Sequence, residues 1–373
     1  MTKKIRLGVL FGGRSGEHEV SLVSAGSVLN TLDPQKYKIT QIGITLDGDW
    51  LVGEDVLNTL SEKKLEELTP AVMFPIPSRP EVYNIMQEDK KEILSLFAEL
   101  DVIFPVLHGS YGEDGTLQGL LEMTDIAYVG AGVLGSSVGM DKALFKDVMI
   151  ANQIPVAPSE LILISEMDDI TAVLKRVDRI VDYPVFVKPA NMGSSVGVHK
   201  CNDVEELAVG LQDAARYDRR IMVEKGINAR EIELSVLGNQ TPKVSVPGEV
   251  RPTADFYSYE AKYHDDSSEL IIPAELTEEQ VALLQDYALR AYKAIDCAGM
   301  ARVDFLLDKD TDEIFLNELN TIPGFTPISM YPKLWEASGL QYADLIDDLI
   351  SLALERKSEK DQIIRKYDFG SEE

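Results

Sequence analysis

The stretch FLNELNTIPGF, Phe315–Phe325, decides how this chain is read. Apolar residues lead into Glu318 and Asn320, a carboxylate and an amide one residue apart, just before a turn at Pro323–Gly324. On a strand, positions i and i+2 face the same way, so both oxygens are presented together. A second run, ARVDFLLD, carries Arg302 and Asp304 at the same spacing. If the two strands are neighbours, Asp304, Glu318 and Asn320 form an all-oxygen cluster. That is the ligand chemistry of Mg²⁺, an ion usually shared with nucleotide phosphates. Arg302 beside it supplies a fixed cation for an anion held there.

The rest of the composition is compatible with such a site. The chain has 373 residues, enough for two or three domains, with 45% hydrophobic and 7% aromatic residues, as in an ordinary folded protein. A formal net charge of −27 excludes a general nucleic-acid binder, which needs a basic footprint. It does not exclude ATP, because a few local lysines reverse the sign inside a cleft. Two cysteines, Cys201 and Cys297, make neither a disulfide framework nor a zinc set and read as buried thiols. No apolar run is long enough to span a membrane, and the basic start MTKKIRLGVLF runs straight into a strand. The expected location is the cytoplasm.

Along the chain, strand, Gly-rich turn and helix recur over the first 130 or so residues, predicting an open parallel α/β unit over 1–139. Within it, 45–100 reads as an insertion of charged helical stretches and a Pro-rich piece, Pro70–Pro80. The Gly/Ser-rich Gly130–Gly139 marks the boundary to a second region, 140–228, with strands at Leu161–Ile164, Val185–Lys188, Val196–His199 and Ile221–Glu224. A third region, 229–373, contains the oxygen cluster and a long helix over Thr277–Ile295, capped by Thr277 with Gln280 three residues on. Between them lies a polar stretch, Thr253–Glu269, with no clean period, as in surface loops that carry function.

Other constellations are ambiguous when taken singly. KPANMGSSVGV, Lys188–Val198, joins two predicted strands; its glycines and Ser194–Ser195 suit either an ordinary hairpin or a cover for phosphates. It is not a Walker A loop. Lys142, before a helix, is a solvated lysine or a second phosphate contact. Glu224–Lys225 and Glu231 flank a linker that is either a charged loop or a clamp for adenine and ribose. GGRSGEHEVSL and LHGSYGEDGTLQG both follow strands and would face one cleft, bringing Glu17 and His108 to it. His18, His199 and His264 read as surface residues without partners.

Together and in this order, from Gly12 to about Pro332, these motifs resemble the D-alanine–D-alanine ligases of the ATP-grasp superfamily. The resemblance implies three domains, with ATP held between two antiparallel sheets. One D-alanine carboxylate would attack the γ-phosphate, and the amine of a second would displace phosphate from the acyl phosphate. It implies Asp304, Glu318 and Asn320 as ligands of a pair of Mg²⁺ ions, with Mn²⁺ as an alternative. Lys142, Lys188, Ser194 and Ser195 match phosphate contacts; Glu224, Lys225, Glu231, Lys262 and Asn317 match the rest of the nucleotide site. Arg302 and the Gly324 amide match oxyanion donors, Glu17 the holder of the first ammonium, and His108, Ser329 and Met330 contacts to substrate. Glu17, Ser194 and Tyr263 match a hydrogen-bonded set that closes the flexible loop. Relatives that make D-alanyl-D-lactate tend to carry Phe where this chain has Tyr263, so an amine is the expected second substrate. A D-alanine–D-lactate or D-serine ligase, and more distantly a nucleotide-binding regulator without catalysis, are the competing readings. The family also implies a homodimer.

Overall fold

β1 (Ile5–Gly12) is apolar at most positions and buried from Leu7 onward, as a central parallel strand must be. It lies between β2 (Tyr37–Ile44) and β7 (Val102–Val106), parallel to both, and β8 (Ala127–Tyr128) follows β7. In the computed structural model, which describes residues 3–77, 79–179, 182–194, 196–251 and 269–364, this parallel half forms part of an eight-stranded sheet. The other half is antiparallel: β3 (Trp50–Val52), β4 (Thr69–Met73), β5 (Glu81–Glu88) and β6 (Lys91–Glu99) continue outward in order.

The segment expected to be charged and helical is therefore mostly sheet among the described residues, with a short α-helix at Val56–Ser61 and a 3-10 turn at Leu65–Glu67. β5 and β6 form a hairpin closed by Asp89 and Lys90, both at positive φ, the geometry of a two-residue turn that matches strand twist. Solvent reaches both faces of this ribbon, so its charges need not follow a two-residue period, and the strand signal is lost in the sequence. Most of the Gly/Ser-rich Gly130–Gly139 is helical: Val133–Met140 forms a helix, with Gly135 and Ser136 buried where small side chains allow close packing.

The second sheet runs β11 (His199–Cys201), β10 (Val185–Pro189), β12 (Arg220–Lys225), β9 (Ser159–Leu163), all antiparallel. β11 begins three residues later than the sequence suggests, because the Gly/Ser loop extends to Val198. A three-residue linker leads into β13 (Ala229–Gly238) of the third sheet. That sheet places β17 (Gly299–Asp308) between β13 and β18 (Ile314–Asn320), with β15 (Gly248–Arg251) and β16 (Glu269–Ile271) on the far side of β13. The helix Glu278–Ala294 packs behind it and starts in a capping box of Thr277 and Gln280. Cys201 and Cys297 are buried, and burial pushes their thiols up to about 11 and about 12.

Candidate active site

The third sheet supplies the first wall. Directly opposite residues of an antiparallel ladder share a face. Glu233, Asp304 and Glu318 lie across one rung of β13–β17–β18, and Ser235, Arg302 and Asn320 across the next. The register shifts after Asp304, so that Phe305 faces Leu316 and Asn317 has no opposite number. This bulge keeps Asn317 and Glu318 both half-exposed while Leu316 and Leu319 are buried. Three polar residues of FLNELN thus reach the same side of the sheet.

Arg302 grips Asp304 with two hydrogen bonds, Nε to Oδ1 at 2.7 Å and Nη2 to Oδ2 at 2.6 Å. Its Nε also lies 3.0 Å from Glu233 Oε2. Burial works against the guanidinium charge, but Asp304 and Glu233 outweigh it and hold the group protonated. The Asn320 amide donates to Asp304 Oδ2 at 3.0 Å. Among the described residues no group of three His, Cys, Asp or Glu side chains is placed to hold a metal. The set here is two carboxylates and an amide oxygen, hard donors that suit Mg²⁺ in a site completed by phosphate oxygens.

The second sheet supplies the opposing cations. Lys188 at the end of β10 donates to Glu224 Oε2 at 2.7 Å, and Lys146 to Glu224 Oε1 at 2.5 Å. Burial opposes the Glu224 charge, yet the two ammoniums pull its carboxyl down to about 2. Lys188 is raised although burial opposes it, chiefly by Glu224, with Glu318 and Glu231 adding to the effect. The field of the third sheet's carboxylates therefore reaches this lysine. Lys142 Nζ donates to the Met192 carbonyl at 2.6 Å, tying the helix Lys142–Ala151 to the Gly/Ser loop. Lys225 closes β12 and Glu231 sits near the start of β13, on either side of the linker.

A third group comes from the first sheet. β1 and β7 end side by side, so their turns meet. Glu17 is nearly buried and accepts a hydrogen bond from Ser194 Oγ of the Gly/Ser loop. Gly109, at φ +74°, and Gly193 lie so close to the Glu17 carboxylate that a Cβ on either would strike it. Beneath them Glu113 accepts from Gly109 N at 2.6 Å and Ile322 N at 3.3 Å. Burial and the neighbouring Glu17 push the Glu113 carboxyl up to about 8.

His108 is placed differently from the sequence expectation of a substrate contact. Its Nδ1 meets the Ile322 carbonyl and its Nε2 the Ser24 hydroxyl, both at 3.1 Å, and burial lowers its pKa. Both nitrogens are engaged within the protein. Met330 is likewise packed in a small core with Val250 and Leu334 rather than turned to the cleft. Ser329 lies beside Gly324 and accepts from Thr326 N at 3.0 Å. Ser195, Lys262, Tyr263 and His264 fall outside the described residues. Of the histidines read as surface groups without partners, His18 is buried with Nδ1 2.9 Å from the Gly13 carbonyl, whereas His199 is at the surface but has a partner, Asp213 at 2.8 Å.

Three residues at the site were missed in the sequence. Lys146 lies on the apolar stripe of its helix with Ala143 and Met149, and a lysine there is a signal in itself. Glu233 follows the Glu231-x-Glu233-x-Ser235 alternation of a polar strand face. Nothing in the sequence separates Glu113 from its acidic neighbours.

Known proteins resemble this chain along nearly its whole length. The families described as D-ala D-ala ligase N-terminus and C-terminus match residues 6–131 and 148–351. A D-alanine--D-alanine ligase of Natranaerobius thermophilus is 47% identical over 362 residues, covering 96% of this chain and 98% of that protein. One from Ruminiclostridium cellulolyticum is 49% identical, covering 95% and 96%. The structure of the D-alanine-D-alanine ligase from Coxiella burnetii superposes with a TM-score of 0.84 at 37% identity, covering 98% of both chains. The VanG D-Ala:D-Ser ligase of Enterococcus faecalis does so at 0.83 and 35%, covering 94% and 100%. The chain belongs to the D-alanine–D-alanine ligase family.

Proposed function

We propose that this protein joins two D-alanines into D-alanyl-D-alanine at the expense of ATP, releasing ADP and phosphate, as a step in peptidoglycan precursor synthesis. One observation supports this above the others: Arg302, Asp304, Glu318 and Asn320 share one sheet face, and Lys188 opposite feels the field of Glu318. Mg²⁺, as a pair of ions or replaced by Mn²⁺, would be held by Asp304, Glu318 and Asn320 and would neutralise charge on the transferring phosphoryl group.

The protein's own groups then have distinct tasks. Lys142, Lys188 and the Ser194–Ser195 loop position the phosphates; Glu224, Lys225, Glu231, Lys262 and Asn317 hold the remainder of the nucleotide. Phosphoryl transfer to the first D-alanine needs chiefly this positioning. Glu17 holds that substrate's ammonium, and the loop bearing Ser194 closes on it together with Tyr263. Closure excludes the water that would otherwise hydrolyse the acyl phosphate. Attack by the second amine places negative charge on the acyl oxygen, where Arg302 and the Gly324 N–H are its donors. Ser329 contacts the second substrate's carboxylate. The protein acts in the cytoplasm as a homodimer, on small molecules rather than on nucleic acid or membrane; no helix among the described residues is long and apolar enough to cross one.

The likeness to a D-Ala:D-Ser ligase keeps the second substrate open to test. Enzyme and ATP are given D-alanine with D-serine or D-lactate in equal amount, and products are weighed by mass spectrometry. D-alanyl-D-alanine is the expected main product, and a dominant ester or D-alanyl-D-serine would overturn the choice. Arg302→Ala should lower kcat on the order of 10²–10³-fold; a rise in KM alone would move Arg302 to ground-state binding.

A further inference from the structure

Lys146 has no task in the chemistry described above, yet its side chain is only 2% exposed. A lysine is almost never buried so completely unless it is paired. Its helix, Lys142–Ala151, also buries Phe145 and Met149, which share an apolar core with Ile232, Leu234 and Val303 of the third sheet. Lys142 and Lys146 are four residues apart and so lie on one face of that helix. The first reaches the Gly/Ser loop. The second reaches Glu224 of β12 in the second sheet, and its Nζ also lies 3.3 Å from the Ala157 carbonyl. A cation fixed by the core of one sheet thus meets an anion carried by the other.

Glu224 stands opposite Phe186 in the β10–β12 ladder, and Lys188 is two residues along from Phe186, so Lys188 and Glu224 share a face. Of the three charged side chains, Lys188 is the one that solvent reaches, at 18% exposure against 3% for Glu224. Lys188 and Glu224 alone would cancel. A phosphate would then have to compete for the only cation of a buried carboxylate, and an unpaired charge there is costly. With Lys146 on the other oxygen, the set carries one net positive charge, and Glu224 keeps a partner when Lys188 turns to another anion.

We propose that Lys146 is a positioning residue for the nucleotide, satisfying Glu224 from behind so that the Lys188 ammonium is available to phosphate. This rests on the nucleotide site proposed above and adds the group that keeps its lysine active. Lys146 acts through Lys188 rather than on the nucleotide. The charges within the set agree. Burial lowers Lys146 and Glu224 opposes that, while Lys146 is the strongest of the groups that hold the Glu224 carboxyl down against burial.

Calorimetric titration of the full-length protein with ADP and Mg²⁺ tests this. Lys146→Gln keeps a hydrogen-bond donor for Glu224 without the charge, and Lys146→Met removes both. Each is expected to bind ADP about 10–100-fold more weakly than wild type. In steady state, KM for ATP should rise by a similar factor and KM for D-alanine should not move. The deciding comparison places Lys146→Gln in the Glu224→Gln background. With no carboxylate left to satisfy, the same replacement should weaken ADP binding far less there than in wild type. A role in packing, or a direct contact with the nucleotide, would carry the full loss into both backgrounds, and that result overturns the proposal. Wild-type affinity in Lys146→Gln also overturns it. A wild type that binds no ADP would instead overturn the nucleotide site on which it rests.

Discussion

Glu224 shows how much of this site rests on single buried charges. It is almost wholly enclosed and has a lysine on each oxygen. Removing either partner would strand a charge, which in other proteins costs about 3–5 kcal/mol. Its carboxyl is depressed from 4.5 to about 2, so the stabilisation is complete above pH 4.5 and is lost as pH falls toward 2. Over that window it amounts to about 3 kcal/mol. Urea unfolding of wild type and Glu224→Gln at a series of pH values should therefore give curves far apart at pH 7 that converge near pH 2. Parallel curves would show that the pair carries no such linkage. At this scale the sequence was a partial guide. Arg302, Asp304, Glu318 and Asn320 were legible because strand alternation alone predicts a shared face. Lys146 was hidden because a lysine in KALFKDVMIA suggests solvent unless the apolar stripe through Ala143 and Met149 is followed. His108 looked like a ligand-binding group because nothing local reveals that Ser24 and the Ile322 carbonyl, far away in sequence, occupy both its nitrogens.

At the level of elements, the bulge at Asn317 gives β18 its working face. Strict alternation would have sent Asn317 and Glu318 to opposite sides, and neither the bulge nor its partner register is visible in FLNELN. Deleting Asn317 would close the bulge while leaving Leu316 and Leu319 on the core face and Glu318 and Asn320 on the working face. The expected outcome is a folded protein whose KM for ATP rises, because one side chain proposed to hold the nucleotide is gone; a KM for ATP equal to that of wild type would mean the bulge is incidental. Long periodic elements were easy to read by contrast. The helix Glu278–Ala294 with its Thr277 cap lies within a residue or so of where its apolar period and end signals put it. The 81–99 hairpin was not, because an edge ribbon wet on both faces carries no burial pattern, and its strand–strand register depends on a turn at Asp89–Lys90 whose backbone is not written in the composition.

Across the whole molecule, the turn that bears Gly324 is anchored in a core belonging mainly to the first sheet. Phe325 packs edge-on against Phe104 of β7 at 5.7 Å and against Tyr331 at 5.6 Å. Ile322, Phe325, Tyr331 and Trp335 share one apolar cluster with β1, β7 and the helix Tyr342–Asp361. The first and third regions are thus one packed body at the place where a backbone donor is needed. Phe325→Ala should cost about 3–5 kcal/mol in stability and lower kcat at least as strongly as it raises KM, because the Gly324 N–H loses its position. A stability loss with unchanged kcat would uncouple this packing from the chemistry. The central claim is that Asp304, Glu318 and Asn320, facing Lys188 and beside Arg302, make this cleft an ATP-driven amide-bond-forming site. The most direct test is the yield of D-alanyl-D-alanine per ADP when the purified protein is given ATP, Mg²⁺ and D-alanine, with Glu318→Ala alongside. The account predicts one dipeptide for each ADP from wild type and none from a folded Glu318→Ala; ADP release without dipeptide, or an undiminished yield from the variant, would contradict it.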